Sequence, residues 1–317
     1  MYLSFYELKD EPFRLTPDPR FVHLSEPHQS ALTVLLEGIL FRKGLIMVTG
    51  PIGTGKTTLL HTALQMLTDM PKQKVEIKSA LIFNPTLTRD EFLEMMLEEF
   101  EVECSATSKP KRLAALNHML LETQRRGSTA VLFIDEAHLL TPDLLEEIRL
   151  LGNADIHHEK LLQIVLSGQP ELTTMMNRRE LSALQQRIAA RAFLRPLSLH
   201  EVRAYVAERL HFAGLTGTSP FSSTALEAVL HYSSGVPRLI NLICDSSLTL
   251  GYRTQRKTIQ PDLIEESATN LGLVDAMETS ARPAPVPFPV ASGMEAPKSI
   301  VDSLIESMKQ NRSAALR

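Results

Sequence analysis

The sequence predicts an α/β fold, a parallel sheet covered by helices, followed by a second domain built of helices alone. Three observations carry this reading. Short apolar runs of strand length alternate with stretches of helical periodicity as far as Leu197, a glycine-rich loop joins the first such run to the helix after it, and beyond Leu197 the strand-length runs stop. With 317 residues the chain accommodates about two domains. Apolar residues at 44% and charged residues at 22% are ordinary globular values, which excludes wholesale disorder and fibrous repeats. The 33 Lys+Arg against 37 Asp+Glu leave a formal charge of -4, which removes a global basic field for nucleic acid while leaving a local patch open.

The elements follow in order. Gly44 to Gly50 is an apolar run bounded by glycines and reads as a strand, and Thr57 to Met70 has leucines at helical spacing. Ser79 to Phe83, Ala130 to Ile134 and Leu161 to Leu166 read as further strands, separated by stretches long enough for crossover helices. Arg89 to Phe100 and Arg112 to Arg126 are amphipathic, the first opened by Thr88 with Glu91 as a capping box. Ser198 and Glu201 form a second box ahead of Val202 to Phe212, and Ser223 to Tyr232, Pro237 to Tyr252 and Pro261 to Leu271 follow as helices. The alternating prolines of Arg282 to Val290 favour polyproline II and mark a linker. Ile300, Val301, Leu304, Ile305 and Met308 recur at helical spacing in an amphipathic tail. The expected division is an N-terminal linker segment and helix over 1–43, an α/β core over 44–197, a helical domain over 198–272, the proline linker over 273–298 and the tail over 299–317.

The N-terminus lacks the basic start and apolar core of a secretory signal, and no apolar run approaches the roughly 20 residues of a membrane span. Cys104 and Cys244 have neither CxxC nor metal-ligand spacing. A reducing, cytoplasmic setting is the expectation.

Gly50-Pro-Ile-Gly-Thr-Gly-Lys-Thr57 fits G-x-x-x-x-G-K-[ST] between a strand and a helix, the context in which that pattern cradles phosphates. The loop from Pro51 through Ile52, Gly53, Thr54 and Gly55 wraps the phosphates and turns inward the amides after Pro51, which has no N–H of its own. Lys56 reaches the β and γ phosphates, Thr57 ligates magnesium, and Thr58 in the first helical turn completes the nucleotide-binding set. Val131 to Glu136 ends an apolar strand in two carboxylates, with Asp135 suited to hold magnesium and Glu136 to activate a water. An acidic pair capping the next helix is the competing reading. Asp135-Glu-Ala-His138 also spells a helicase box, but no companion helicase motif follows, so His138 is read as structural or supporting.

After the fourth strand, Gln169 is the candidate to sense the γ-phosphate or hold the water, with Ser167 second; a plain turn at Gly168 and Pro170 is the alternative. Arg187 and Arg191 share one helix face if their segment is helical, where they would donate to a neighbouring subunit's phosphates or else stand solvated. Pro237 reads as a first helical residue, which puts Arg238 in a first turn where the helix dipole disfavours a cation. An anion nearby, such as a nucleotide phosphate, accounts for that placement; an ordinary surface arginine is the alternative.

Together these residues resemble the AAA+ ATPases, and more narrowly the ExeA/GspA-like branch associated with secretion. The narrower resemblance rests on Phe13 to Phe21, Ser167 to Leu172, Gln186 to Arg191, Leu194 to Ser198 and Gly235 to Asn241, and covers residues 1–272. It implies a P-loop NTPase fold with five parallel strands in the order 5-1-4-3-2, a helical lid, and ATP with Mg2+ bound between them. It also implies that Arg238 is the second sensor, that Arg187 or Arg191 is an arginine finger, and that Phe13 to Phe21 lies near the adenine. The leading functional expectation is an oligomeric ATPase that remodels or assembles a protein complex of a secretion or envelope/exopolysaccharide export machinery, with membrane association only peripheral and through partners. Related ATPases that assist transposition by binding DNA supply one alternative, and a scaffold that binds ATP without turning it over supplies the other.

Overall fold

The computed structural model describes residues 2–15, 25–69, 76–83, 85–105, 108–156 and 159–273. The expected proline-rich segment from 274 onward and the tail lie outside the described residues, as does most of Phe13 to Phe21.

Five parallel strands form the main sheet: β1 (Leu45–Thr49), β2 (Ile77–Ile82), β3 (Thr129–Ile134), β4 (Leu162–Gly168) and β5 (Ile188–Phe193), in the order β2-β3-β4-β1-β5. This is the P-loop order that the resemblance implied. β1, β3 and β4 are buried along their whole length, as central strands covered on both faces must be, whereas β2 and β5 at the edges are only partly buried. Side chains alternate between faces. Leu45, Met47, Ala130, Leu132 and Ile134 join one core with α3 (Arg89–Glu99), α4 (Lys109–Arg125) and α5 (Pro142–Leu151). Ile46, Val48, Val131 and Phe133 join the other with α1 (Glu26–Leu40) and α2 (Lys56–Thr68).

Two short helices, α6 (Pro170–Met176) and α7 (Ser182–Gln185), lead from β4 into β5. The segment carrying Arg187 and Arg191 is therefore not the helix that would have given them a common helical face. α7 ends at Gln185, and Ile188, Ala190 and Ala192 belong to an extended run that pairs with β1. The outer edge of β1 needs a partner for its backbone groups, and that long-range demand overrides the helical preference of the local alanines.

The lid contains α8 (Leu199–Phe212), α9 (Ser223–Ser233), α10 (Pro237–Arg253) and α11 (Pro261–Asn270). Its core also takes in Tyr2, Tyr6, Leu8 and Phe13 from the other end of the chain. Tyr2 Oη donates to Asp245 Oδ1 at 2.5 Å and Tyr6 Oη to the Arg256 carbonyl at 2.9 Å. The N-terminal stretch is thus part of the lid's packing, and the chain passes from lid to sheet and back.

Between sheet and lid, the Leu194 amide donates to the Thr49 carbonyl at 2.7 Å. Arg195 then forks onto Glu201, with Nη1 to Oε2 at 2.7 Å and Nη2 to Oε1 at 3.0 Å, while Glu201 completes the reciprocal capping box with Ser198. Burial works to raise the Glu201 pKa, but the guanidinium and the Ser198 donors outweigh it and hold the carboxyl down to about 2. Because the folded value lies below the unfolded one of about 4.3, this link stabilises the fold above that pH and fades as pH falls toward 2. The melting temperature of the wild type should therefore exceed that of Glu201→Gln at pH 6 and approach it at pH 3, as read by thermal unfolding. A gap that did not narrow would remove the ion pair as the cause.

Candidate functional site

The glycine loop leaves the C-terminal end of β1 and closes at Gly55, the N-cap of α2. Gly53 (φ 78°) and Gly55 (φ 94°) are both left-handed, which lets successive amides face one concavity beside the unpaired amides of the first helical turn. Thr54 is buried and its hydroxyl donates to the Pro51 carbonyl at 2.8 Å, while Ile52 is 65% exposed. Thr58 lies in the first turn of α2 with its carbonyl accepting from Thr62 Oγ1. Lys56 Nζ donates to the Gly50 and Pro51 carbonyls at 2.9 and 3.0 Å. Burial pulls this ammonium below the usual lysine value, opposed by the carboxylates of Glu136, Asp135 and Glu171.

Asp135 is 2% exposed and accepts three hydrogen bonds. Thr57 Oγ1 donates to Oδ2 at 2.5 Å, Ser167 Oγ to Oδ1 at 2.7 Å, and the Glu136 amide to Oδ1 at 2.9 Å. Thr57 and Asp135 thus present hard oxygen donors side by side, and among the described residues no group of three His, Cys, Asp or Glu side chains gathers as a metal cage. That donor set fits Mg2+, which takes one or two protein oxygens and completes its shell with water and phosphate. Ser167, the second candidate for the γ-phosphate, is fully buried and turned to Asp135 instead.

Glu136 follows at φ 50°, in the left-handed region unusual for a carboxylate residue. Its Oε2 is buried without a hydrogen-bond partner, 3.3 Å from His138 Nδ1. Gln169 is the N-cap of α6 on the same rim, and its side chain makes no capping bond. From the lid, the Arg238 amide donates to the Gly53 carbonyl at 3.3 Å, and a Cβ on Gly53 would stand 2.9 Å from Val236 Cγ1 and 3.0 Å from Arg238 Cβ. The exposed Arg238 side chain therefore starts beside the loop.

The two remaining arginines stand apart. Ile188 pairs with Leu45 at the start of β1, so Arg187 lies at the opposite end of the sheet, about 16 Å from the loop at roughly 3.3 Å per strand residue. Its Nη1 donates to the Arg149 carbonyl and to Asn153 Oδ1. Arg191 pairs in register with Met47 on the edge strand, and partial burial draws its pKa down.

One residue at the loop went unnoticed in the sequence. His28 on α1 is buried, and its Nε2 lies 2.9 Å from the Thr54 carbonyl while Nδ1 lies 2.6 Å from Ser25 Oγ. A carbonyl only accepts, so Nε2 carries the proton and Nδ1 accepts from the serine. His28 precedes Thr54 by 26 positions and no local pattern marks it.

If the lid rests on the loop through Gly53, crowding that position should loosen it. Gly53→Ala, beyond the 1–2 kcal/mol or so of a left-handed L residue, should speed hydrogen exchange at the Arg238 amide. Gly127→Ala is the control, since Gly127 has φ 75° but open space around it. Equal exchange at Arg238 in both variants would rule out the contact.

Residues 38–176 match the family model described as an AAA domain. Over 265 residues the chain is 39% identical to general secretion pathway protein A of Aeromonas hydrophila, a match covering 83% of this chain and 47% of that protein. An uncharacterized HTH-type transcriptional regulator of Methanocaldococcus jannaschii is 22% identical over 161 residues, covering 50% of this chain and 39% of the regulator. The matched regions span less than half the length of either curated relative. Among solved structures, Drosophila ORC bound to DNA aligns with a TM-score of 0.66 at 18% identity, covering 89% of this chain and 70% of that one. The Aeropyrum pernix ORC2 protein aligns at 0.61 and 16% identity, covering 83% and 72%. At such identities these two establish the fold alone.

Proposed function

The chain belongs to the AAA+ ATPases, in the branch similar to general secretion pathway protein A, and from that premise we propose that it binds and hydrolyses Mg-ATP as a homo-oligomer to remodel or assemble a protein complex of a secretion or envelope export machinery. The observation that carries the chemistry is the meeting of Lys56, Thr57, Asp135 and Glu136 at the end of one sheet. Lys56 leaves the loop carbonyls to neutralise the β and γ phosphates, and the loop amides bind the same oxygens. Thr57 and Asp135 hold the magnesium ion, which supplies charge compensation across the phosphates when bound. Glu136 orients and activates the attacking water, Gln169 faces the terminal phosphate from the neighbouring strand, and Arg238 brings a cation from the lid. Arg187 is too far from its own loop to touch the same nucleotide, so as an arginine finger it would act across a subunit boundary; Arg191 is the other candidate for that role. The partnership with a secretion apparatus rests on the relative's name. No helix among the described residues is long and apolar enough to cross a membrane, so membrane association is proposed to run through partners.

Two experiments separate binding, chemistry and assembly. Lys56→Ala should lose tight ATP binding, whereas Glu136→Gln should retain ATP and slow turnover about 100-fold or more, as for a lost catalytic base. Turnover of Glu136→Gln within about threefold of wild type would remove Glu136 from that role.

For the finger, Arg187→Ala or Arg191→Ala should bind ATP normally, hydrolyse it slowly, and regain activity when mixed with Glu136→Gln subunits, because mixing rebuilds intact shared sites. Full activity in both arginine variants would exclude a composite site. Retention of duplex DNA that depends on ATP and weakens steeply with salt would favour the DNA-binding alternative over a protein client.

A further inference from the structure

The rim holds one polar atom that the chemistry above leaves unanswered. Glu136 Oε2 is buried and without a hydrogen-bond partner, on a residue whose backbone is itself in an uncommon conformation. His138 Nδ1 lies 3.3 Å from that oxygen and accepts, at 3.5 Å, from the backbone amide of Gln169. The imidazole has little freedom to move away. It sits on a single turn, Ala137–Leu139, with a side chain only 13% exposed, and the His138 amide nitrogen would stand 3.1 Å from a Cβ placed on Gly168.

One ring nitrogen therefore faces a donor and an acceptor together. With a lone pair it accepts from Gln169; carrying a proton it donates to Glu136. It cannot do both at once.

We propose that His138 is a positioning residue for Glu136, its Nδ1 engaging either the Gln169 amide or the Glu136 carboxylate, so that the loop after β4 and the carboxylate are set in exclusive states. When the Gln169 amide takes another acceptor on the rim, such as a phosphate oxygen, the imidazole changes tautomer. One proton then leaves Nε2 for water, another arrives at Nδ1, and the new N–H holds Glu136 in a single orientation. No net proton or other reactant is consumed. The proposal rests on the reading of Glu136 as the group that activates water, and it adds a link from the β4 loop to that group which packing alone would not provide.

The test uses His138→Ala, His138→Leu and His138→Asn in the full chain, with ATP affinity, KM and kcat measured for each beside Glu136→Gln. His138→Ala should lower kcat about tenfold, the worth of one hydrogen bond to a charged group, and leave the ATP Kd within about twofold. His138→Asn, whose amide can donate or accept near the place of Nδ1, should regain at least about a third of wild-type kcat, while His138→Leu, which fills the volume without a polar atom, should remain slow. A structural role predicts the reverse order, so recovery by Leu and not by Asn would overturn the proposal. So would an unchanged kcat in His138→Ala, or a loss that appears in Kd and not in kcat. If Glu136→Gln itself kept wild-type turnover, the reading of Glu136 would fail. If it were inactive while His138→Ala remained fully active, only the role of His138 would fall.

Discussion

A carboxylate with 2% exposure has given up nearly all of its water, and everything at the rim of this sheet is arranged around replacing it. Asp135 is met by donors from three places: the first turn of α2, the end of β4, and the amide of the residue after it. Each donor has to arrive in register. β4 must lie beside β3, with Ile134 opposite Leu166, for Ser167 to reach it, and the glycine loop must deliver Thr57 at the matching height. Removing any one donor leaves a buried acceptor short of a partner, at a cost of about 1–3 kcal/mol. The strand order, the loop and the oxygens proposed to hold magnesium thus meet in one local requirement.

The lid is tied to this arrangement through places where side chains are absent. Gly53 admits Val236 and Arg238 against the loop, and Gly235, at φ 74°, admits the backbone of Leu197, whose amide donates to the Gly235 carbonyl at 2.8 Å. The turn ahead of α10 therefore touches both the connection between the two parts and the phosphate loop. The Arg238 amide, bonded to the Gly53 carbonyl, joins lid and loop backbone to backbone, and His28 braces the loop from α1 on the sheet side. Such a contact gives nucleotide a direct way to favour one disposition of the lid over another.

Features whose cause lies within a few residues were legible in the sequence. The glycine loop and the capping boxes at Thr88 and Ser198 are patterns of adjacent residues, and the structure has both reciprocal caps. The parallel alternation followed from periodicity, although the order of the strands came from resemblance, since periodicity carries no information about neighbours. What stayed hidden was set by distant partners. The extended run at Ile188 exists because β1 needs an edge, the Ser167 hydroxyl turns inward because Asp135 is buried, and His28 meets Thr54 only after α1 packs on the sheet. The aromatic residues at the start of the chain gave no sign of the partners that complete their core, the farthest of them more than 240 positions on, as Tyr2 and Asp245 are at 243 apart.

That last separation has a bearing on how the protein is made. Tyr2 and Tyr6 bond to residues 243 and 250 positions further on, and Phe13 packs edge-on against Phe221 with ring centres 6.0 Å apart. During synthesis the segment around Tyr2 to Phe13 emerges well before its partners. At about 5–20 residues per second it waits some ten to fifty seconds for them. Closing so long a loop adds an entropic barrier that local helix formation does not face. The sheet can assemble in the interval, but the lid's core closes only when residues 2–13 and α8 to α11 are both present. Until then Tyr2, Tyr6 and Phe13 remain without their core, exposing aromatic surface of the kind that makes folding intermediates prone to aggregate.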